Sequence, residues 1–489
     1  MNLCLINHSF RYELEKLIRI FLPFEKIEFF NEKVLSDSYA VTEIVCGNAQ
    51  ATLCLFGKEY FEKAEIDKNA TDLEKEAELK LATALFKCFV RATGYKPEWG
   101  MITGIRSTKL FSRLSDELGV NGAEEYLENT LKADKKKISL CKETYISEEN
   151  IISLSSKNSF SLYISIPFCP TRCSYCSFVS HSVEAAKKLI PQYVEKLCEE
   201  IRITAKIARE NNLLLETVYI GGGTPTSITA EQLSEIMKTV KECFSIEKIR
   251  EYTVEAGRPD TVTKEKLEVI KKYGATRISI NPQTMNDGVL EIIGRKHTSA
   301  QTVEAFNLAR SVGFNNINTD LIAGLPGDTF ESFKDTLNRV ALLNPESVTV
   351  HSLSMKRSSS MTKSGEIPDI EIGKTASLMV DYAREFLSNS GIVPYYMYRQ
   401  SKTVGNLENV GYAKRGCECL YNVYIMDETH TILACGASAV TKLREPDGSY
   451  IERIFNFKYP YEYLDRFDEM IARKSKIGEF YAEYGNRNK

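Results

Sequence analysis

The chain has a single tryptophan in 489 residues, five histidines and no surplus of charge of either sign: 63 Lys and Arg against 66 Asp and Glu, a net of −3. Without a basic excess it lacks the electrostatic footprint of a nucleic-acid or anionic-membrane binder. No apolar run approaches the roughly 18 residues of a membrane span. The opening MNLCLINHSF has neither the basic n-region nor the apolar h-region of a signal peptide, so the expected compartment is the cytoplasm. What the chain does have is cysteine, 13 of them. In an untargeted chain of this length they read as reduced thiols, some with metal, rather than as a disulfide framework.

Three of these thiols fall in one loop. The stretch LYISIPFCPTRCSYCSFVS (162–180) sets Cys169, Cys173 and Cys176 in a C-x3-C-x2-C spacing behind a strand-like run of Ile164, Ile166 and Phe168. Three thiolates packed this closely can hold three irons of a cubane [4Fe–4S] cluster and leave the fourth open. An open iron can be chelated by the amino and carboxylate groups of S-adenosylmethionine, whose reductive cleavage gives a carbon radical. Tyr175 and Phe178 offer aromatic surface for an adenine. Two other readings stand beside this one. The thiols can be core side chains, or zinc ligands, although structural zinc usually takes four N/S ligands in paired units and no second pair is near.

The length suggests about three domains, with expected boundaries at 1–155, 156–370 and 371–489. Residues 1–60 pattern as a small α/β unit: a strand at Leu3–Ile6, an amphipathic helix at Tyr12–Phe21, and two alternating runs, Ala40–Cys46 and Ala51–Phe56, joined like a hairpin across Gly47-Asn48. Helical periods follow at 71–93, 107–118 and 122–132. The segment YKPEWGMITGIRSTK (95–109) between the first two holds Trp99 and Arg106, as ligand-facing residues or as a domain-packing loop. KADKKK (132–137) and the residues to about 157 read as a linker.

From 160 the pattern becomes strand–helix alternation. Strands are expected at Leu162–Pro167, Thr217–Ile220, Glu251–Glu255, Arg277–Ile280, Asn316–Ile322 and Ser347–Ser352, with helices at 184–210, 230–243, 263–273, 300–312 and 330–343. Right-handed crossovers make such a series a parallel, partial (β/α)6 TIM-like barrel, an α/β fold here flanked by an N-terminal α/β module and a C-terminal α+β domain. Chemistry in such barrels sits at the strand C-termini. There the sequence places, in turn, the cysteine loop, GGGTP (221–225), Glu255, Gln283 with Arg295 twelve residues on, and Asp320. Arginine can pair a carboxylate, Asp and Gln can bond ribose hydroxyls, and Glu can accept from a cationic amine. Each position taken alone reads equally as a rim salt bridge or a turn.

With these residues in view, the segment from about 160 to 445 resembles the radical S-adenosylmethionine (SAM) family of oxygen-independent coproporphyrinogen III oxidases. Within it the likeness is to the HemZ-type, oxidase-like branch, whose members also have an N-terminal module with a P-x-W-G…T-G-I-R stretch. The resemblance rests on Tyr163, IPFC (166–169), the three cysteines, Gly222-Gly223-Thr224, Glu255, Gln283, Arg295, Asp320 and GLPGDT (324–329). GNLENVGYA (405–413) and ACGASAV (434–440) extend it toward the C-terminus. It implies a [4Fe–4S] cluster on Cys169, Cys173 and Cys176, and one or two molecules of S-adenosylmethionine contacted by Tyr163, Tyr175, Gly222, Gly223, Thr224, Glu255, Gln283, Arg295, Asp320 and Val440. The chain departs from the family's H-I-P-F-C with Ser165 in the histidine position, and has Ser177 where the oxidase proper often has a fourth cysteine. It also lacks the H-N-x-x-Y-W signature of the related heme-trafficking branch.

The implied reaction removes a hydrogen β to a pyrrole ring, releases carbon dioxide and one electron, and turns two propionates of coproporphyrinogen III into vinyl groups. It implies an external electron donor of the flavodoxin or ferredoxin type and an electron acceptor. A tetra-anionic substrate asks for Lys and Arg at the barrel mouth; the candidates are Arg258, Lys296, Lys356, Arg357 and Arg399, with His351 as a proton donor or a satisfied rim residue. Cys417, Cys419 and Cys435 are candidates for a second metal. The competing reading is a non-catalytic tetrapyrrole carrier, or an enzyme for a different tetrapyrrole. A tRNA-modifying enzyme is disfavoured by the neutral charge.

Overall fold

The computed structural model describes residues 1–176, 181–354, 370–400 and 402–484. Two compact units emerge, one of Met1–Lys142 with Arg399–Glu408, the other running from Glu143 onward without that return segment.

In the first unit a five-stranded sheet runs in the order Glu28–Phe30, Asn2–Ile6, Tyr39–Val45, Asn48–Leu55 and Lys58–Glu65. Alternation decides which face is covered: along Asn48–Leu55 every second residue is buried, and Ala49, Ala51 and Leu53 share one core with Leu81, Leu85 and Phe89 of the helix Leu73–Thr93. The expected hairpin is present, but its two turn residues are Cys46 and Gly47, both at positive φ (48° and 77°), with Val45 paired to Asn48. That is the backbone of a type I′ turn, whose twist matches the flanking strands. Phe56 and Gly57 repeat the device (54° and 72°) and add the strand Lys58–Glu65, which the sequence pattern misses because this edge strand has no fully buried residue.

The expected linker is helix from Lys135 to Ile152. The interior of the first unit explains how the lysine-rich run reaches helix: Lys137 is buried, its Nζ 2.8 Å from Glu408 Oε1 and 3.0 Å from Glu98 Oε2. Trp99 is buried too, donating from Nε1 to Glu408 Oε2 at 2.7 Å. It packs this unit's interior rather than lining an open ligand surface.

In the second unit, strands Ser159–Ile166, Leu214–Gly222, Glu251–Glu255, Arg277–Ser279, Ile317–Ala323 and Ser347–Ser352 pair in parallel and in chain order. These are the six barrel strands, displaced by at most three residues from their sequence positions. Helices Ile190–Glu210, Ala230–Cys243, Lys264–Lys272, Ser299–Ser311 and Phe330–Leu342 connect them. The starts of the last four are set by threonine: Thr229 and Thr298 form capping boxes with Gln232 and Gln301, and Thr263 and Thr329 accept from the backbone N–H three residues on. Leu197, Ile201, Ile220, Leu233, Val254 and Ile278 lie in one core that welds helices to sheet.

The sheet does not end at six. Thr431–Cys435 pairs in parallel with the first barrel strand, Leu433 against Leu162, and leads into the antiparallel hairpin Val440–Arg444 and Ile451–Phe455. At the other edge Glu408–Ala413 pairs antiparallel with Ser347–Ser352, and Val393–Arg399 lies beyond it, for eleven strands in all among the described residues. The C-terminal residues thus continue the barrel sheet at both edges. No described helix is long and apolar enough to cross a membrane.

Candidate functional site: the mouth of the barrel

The first strand ends at Ile166, and Phe168-Cys169 then pairs with His181-Ser182 to close the base of the cysteine loop. Inside it, Cys176 N donates to Cys173 O at 3.2 Å. Ser174 ties the loop to the turn before Arg295, its N and Oγ donating to Ile293 O at 3.1 and 3.3 Å. Cys169, Cys173 and Cys176 are each half-buried.

The glycine turn is built against this loop. A Cβ on Gly223 would lie 2.6 Å from Phe168 O, and one on Gly222, at φ 108°, would lie 2.9 Å from Ser165 Oγ; only glycine permits the approach. Gly223 N donates to Ile166 O and Thr224 N to Phe168 O, at 2.9 and 2.8 Å, while Gly222 N supports the Glu255 carboxylate. The N–H groups of this turn therefore serve the first strand and Glu255. A bound amino acid would meet its carbonyls. Ser165, in the family's histidine position, is buried between Gly222 and Gly436.

Glu255 closes the third strand and accepts from Tyr219 OH at 2.6 Å. Burial pushes its carboxyl up to about 7, against the hydrogen bonds from Tyr219 and Gly222 and with the charge of Asp320. Tyr219 stacks on Tyr421 (centroids 4.5 Å), and Tyr163 stacks on both, at 6.3 and 6.0 Å. Burial raises the phenol of Tyr163 well above its usual value.

Gln283 sits at φ 69° and bridges to the fifth strand: its N donates to Asp320 O and its O accepts from Ile322 N, both at 3.0 Å. Its buried Oε1 has no hydrogen-bond partner among the described residues. A left-handed glutamine with an orphaned oxygen is costly, and such features concentrate at functional sites. Asp320 accepts from Asn318 Nδ2 at 2.7 Å, with His351 Nε2 at 3.9 Å. Burial would raise its carboxyl, but His351, Asn318 and Thr349 outweigh that and hold it below the usual range. His351 also faces Tyr398 OH at 3.5 Å.

Arg295 joins the pieces. Its Nη2 and Nε reach Tyr175 OH of the cysteine loop at 3.0 and 3.3 Å, and Nη1 donates to Gly257 O and Asn281 O, beyond the third and fourth strands, at 3.2 and 3.1 Å. The mouth therefore gathers Tyr163, Tyr175, Gly222, Gly223, Thr224, Glu255, Gln283, Arg295 and Asp320 around the cysteine loop. Val440 opens the outer hairpin, opposite Phe455.

The expected cationic rim is different. Arg258 is 4% exposed and turned onto the cysteine loop and Asp260, so it does not present itself to a propionate. Arg399 lies buried in the first unit, donating to Ile102 O at 2.6 Å above the Trp99 ring. Lys296 is exposed; Lys356 and Arg357 lie outside the described residues, as do Phe178 and Ser177. Cys419 faces Glu251 Oε1 (3.3 Å) and Cys435 faces Thr204 Oγ1 (3.3 Å), so these two thiols have separate partners and do not form a second metal site with Cys417.

Among the described residues no three His, Cys, Asp or Glu side chains close around a point as ligands of a single ion do. A cubane instead spreads its thiolates over separate irons. The surroundings fit that group: Thr224 Oγ1 donates to Cys169 Sγ at 3.5 Å and Arg258 Nη1 to Cys173 Sγ at 3.9 Å, the kind of donors that support cluster thiolates.

The barrel and its mouth define a radical SAM protein, a class that works with a [4Fe–4S] cluster and S-adenosylmethionine, and the superfamily's sequence profile matches residues 163–340. The oxygen-independent coproporphyrinogen-III oxidase-like protein HemZ of Bacillus subtilis is 40% identical over 393 residues, 79% of this chain and 78% of that protein. The chain belongs to this HemZ family of the radical SAM superfamily. It is also similar to the heme chaperone HemW of Haemophilus influenzae, at 31% identity over 62% of this chain and 75% of that one. Among solved structures, coproporphyrinogen III oxidase HemN of Escherichia coli shares the fold, with a TM-score of 0.51 at 23% identity over 67% of this chain and 73% of that one.

Proposed function

We propose that the chain is a radical SAM oxidoreductase that decarboxylates coproporphyrinogen III toward protoporphyrinogen IX without oxygen. Cys169, Cys173 and Cys176 would hold the [4Fe–4S] cluster, and Tyr163, Tyr175, the turn of Gly222, Gly223 and Thr224, Glu255, Gln283, Arg295, Asp320 and Val440 would receive one or two molecules of S-adenosylmethionine. When bound and reduced by a flavodoxin- or ferredoxin-type donor, the pair supplies a 5′-deoxyadenosyl radical. The chain's own groups bind and orient: Glu255 accepts from the cofactor's amine, Asp320 and Gln283 from its ribose hydroxyls, while the tyrosine stack keeps the interior dry. Each of the two reacting propionates would give up one hydrogen atom, carbon dioxide and one electron to become a vinyl group, the electron passing to an external one-electron acceptor.

The observation behind this reading is Gln283, a positive-φ residue with an orphaned buried oxygen beside Asp320 at the strand ends. A folded chain keeps that arrangement at a cost unless a ligand completes it. The test is anaerobic incubation of reconstituted protein with reductant, S-adenosylmethionine and coproporphyrinogen III. Substrate-dependent 5′-deoxyadenosine with stoichiometric carbon dioxide is expected. The likeness to the HemW heme chaperone favours a second reading, a tetrapyrrole carrier; tight heme binding with no carbon dioxide release would select it. Turnover only with another tetrapyrrole would keep the chemistry and change the substrate.

A further inference from the structure

Arg258 does not do what an arginine at a barrel mouth is expected to do for an anionic substrate. The 3-10 turn Pro259–Thr261 fixes its backbone, with Thr261 N and Oγ1 both donating to Arg258 O at 2.9 and 2.8 Å. Asp260, two residues on, takes its guanidinium in a two-point grip, Nε to Oδ1 at 3.0 Å and Nη2 to Oδ2 at 3.1 Å. That grip turns the other edge of the fork inward. Nη1 and Nη2 each meet Thr171 Oγ1 at 3.1 Å, Nη1 lies 3.4 Å from Thr171 O, and Nη1 also donates to Cys173 Sγ at 3.9 Å.

A planar fork locked on one side by a carboxylate cannot swing toward solvent. Only the guanidinium edge faces the sulfur, with the compensating carboxylate behind it. A donor and a positive end held against a cluster thiolate withdraw electron density from it, and hydrogen bonds to cluster sulfurs are among the levers that set reduction potential.

We propose that Arg258, aimed by Asp260, is a positioning residue that raises the reduction potential of the cluster by donating to Cys173, and so brings it within reach of its electron donor. This rests on the assignment of the cluster to the three cysteines. Lysine has no fork and cannot hold Asp260, Thr171 and the sulfur together.

The experiment is spectroelectrochemical titration of the reconstituted full chain, wild type, Arg258→Met and Asp260→Asn, with iron and sulfide content and the electron paramagnetic resonance of the reduced cluster measured on the same samples. In Arg258→Met the reduced-to-oxidised ratio at a fixed poise is expected to fall about tenfold, which is 59 mV for a one-electron couple, at unchanged iron content. In Asp260→Asn the amide oxygen still accepts from Nε and keeps the fork aimed while the countercharge is lost, so the shift is expected in the opposite direction. Full iron content with an unmoved potential in both variants overturns the proposal. If Arg258→Met fails to take up iron, Asp260→Asn decides alone: an upward shift supports the proposal and no shift overturns it. A wild-type chain that takes up no iron overturns the cluster assignment and this inference together, a result distinct from an unmoved potential.

Discussion

Arg295 and Tyr175 are 120 residues apart in sequence, yet the guanidinium lies 3.0 Å from the phenol oxygen. One contact thereby fastens the cysteine loop to a side chain that also grips the backbone beyond the third and fourth strands. Tyr175→Phe keeps the ring and removes that tie. A hydrogen bond to a charged group is worth about 1.5–3 kcal/mol. We expect at least a roughly tenfold weaker affinity for S-adenosylmethionine, measured anaerobically by equilibrium dialysis, with iron content retained.

Gln283 is expected to trade stability for binding. Glycine at this position relieves a left-handed conformation costing about 1–2 kcal/mol and removes a buried unpaired oxygen, against about 0.5–1 kcal/mol of added chain entropy. Gln283→Gly should therefore unfold later than wild type, by about 1 kcal/mol in denaturant titration, while binding S-adenosylmethionine less well.

Glu255 makes binding depend on pH. Its carboxyl stands near 7 in the fold against an ordinary 4.5, so folding favours its neutral form. Below 4.5 both folded and unfolded states are protonated; between 4.5 and about 7 stability falls as pH rises, and above 7 the loss is complete. A cationic amine prefers the ionised carboxylate, so the affinity for S-adenosylmethionine should tighten about tenfold between pH 6 and pH 8. Glu255→Gln should flatten both profiles, which thermal melts and binding isotherms across that range would show.

Inside the first unit, Lys137 balances Glu408 and Glu98. Lys137→Met removes one cation from the fully buried carboxylate of Glu408, for which the expected destabilisation is about 3–5 kcal/mol. Denaturant unfolding followed by the fluorescence of Trp99, the only tryptophan, reports on that site directly.

Much of the barrel was legible because its strands and helices alternate with a clean change of period, and because threonine and glutamine mark the helix starts at 229–232 and 298–301. The Cys169, Cys173 and Cys176 loop stood out by its spacing, with core and zinc readings left beside the cluster, and the superfamily profile over residues 163–340 spans it. The strand Thr431–Cys435 was not, since its partner Ser159–Ile166 lies some 270 residues earlier and its own residues read as a small-residue segment. The helix Lys135–Ile152 was hidden by lysines, one of which is buried as an ion pair. Arg258 and Arg399 read as substrate cations because a sequence does not show that Asp260, Thr171 and a set of carbonyls already hold them. The left-handed backbone of Gln283 leaves no trace in residue type.

The most direct measurement of the central claim is the Mössbauer spectrum of protein reconstituted with isotopically enriched iron, taken with and without S-adenosylmethionine. Three cysteine ligands predict one iron of the four that changes its signal when the cofactor is added, and loss of the cluster in Cys169→Ala, Cys173→Ala or Cys176→Ala. Four equivalent irons indifferent to the cofactor, or unchanged iron content in those variants, would contradict it.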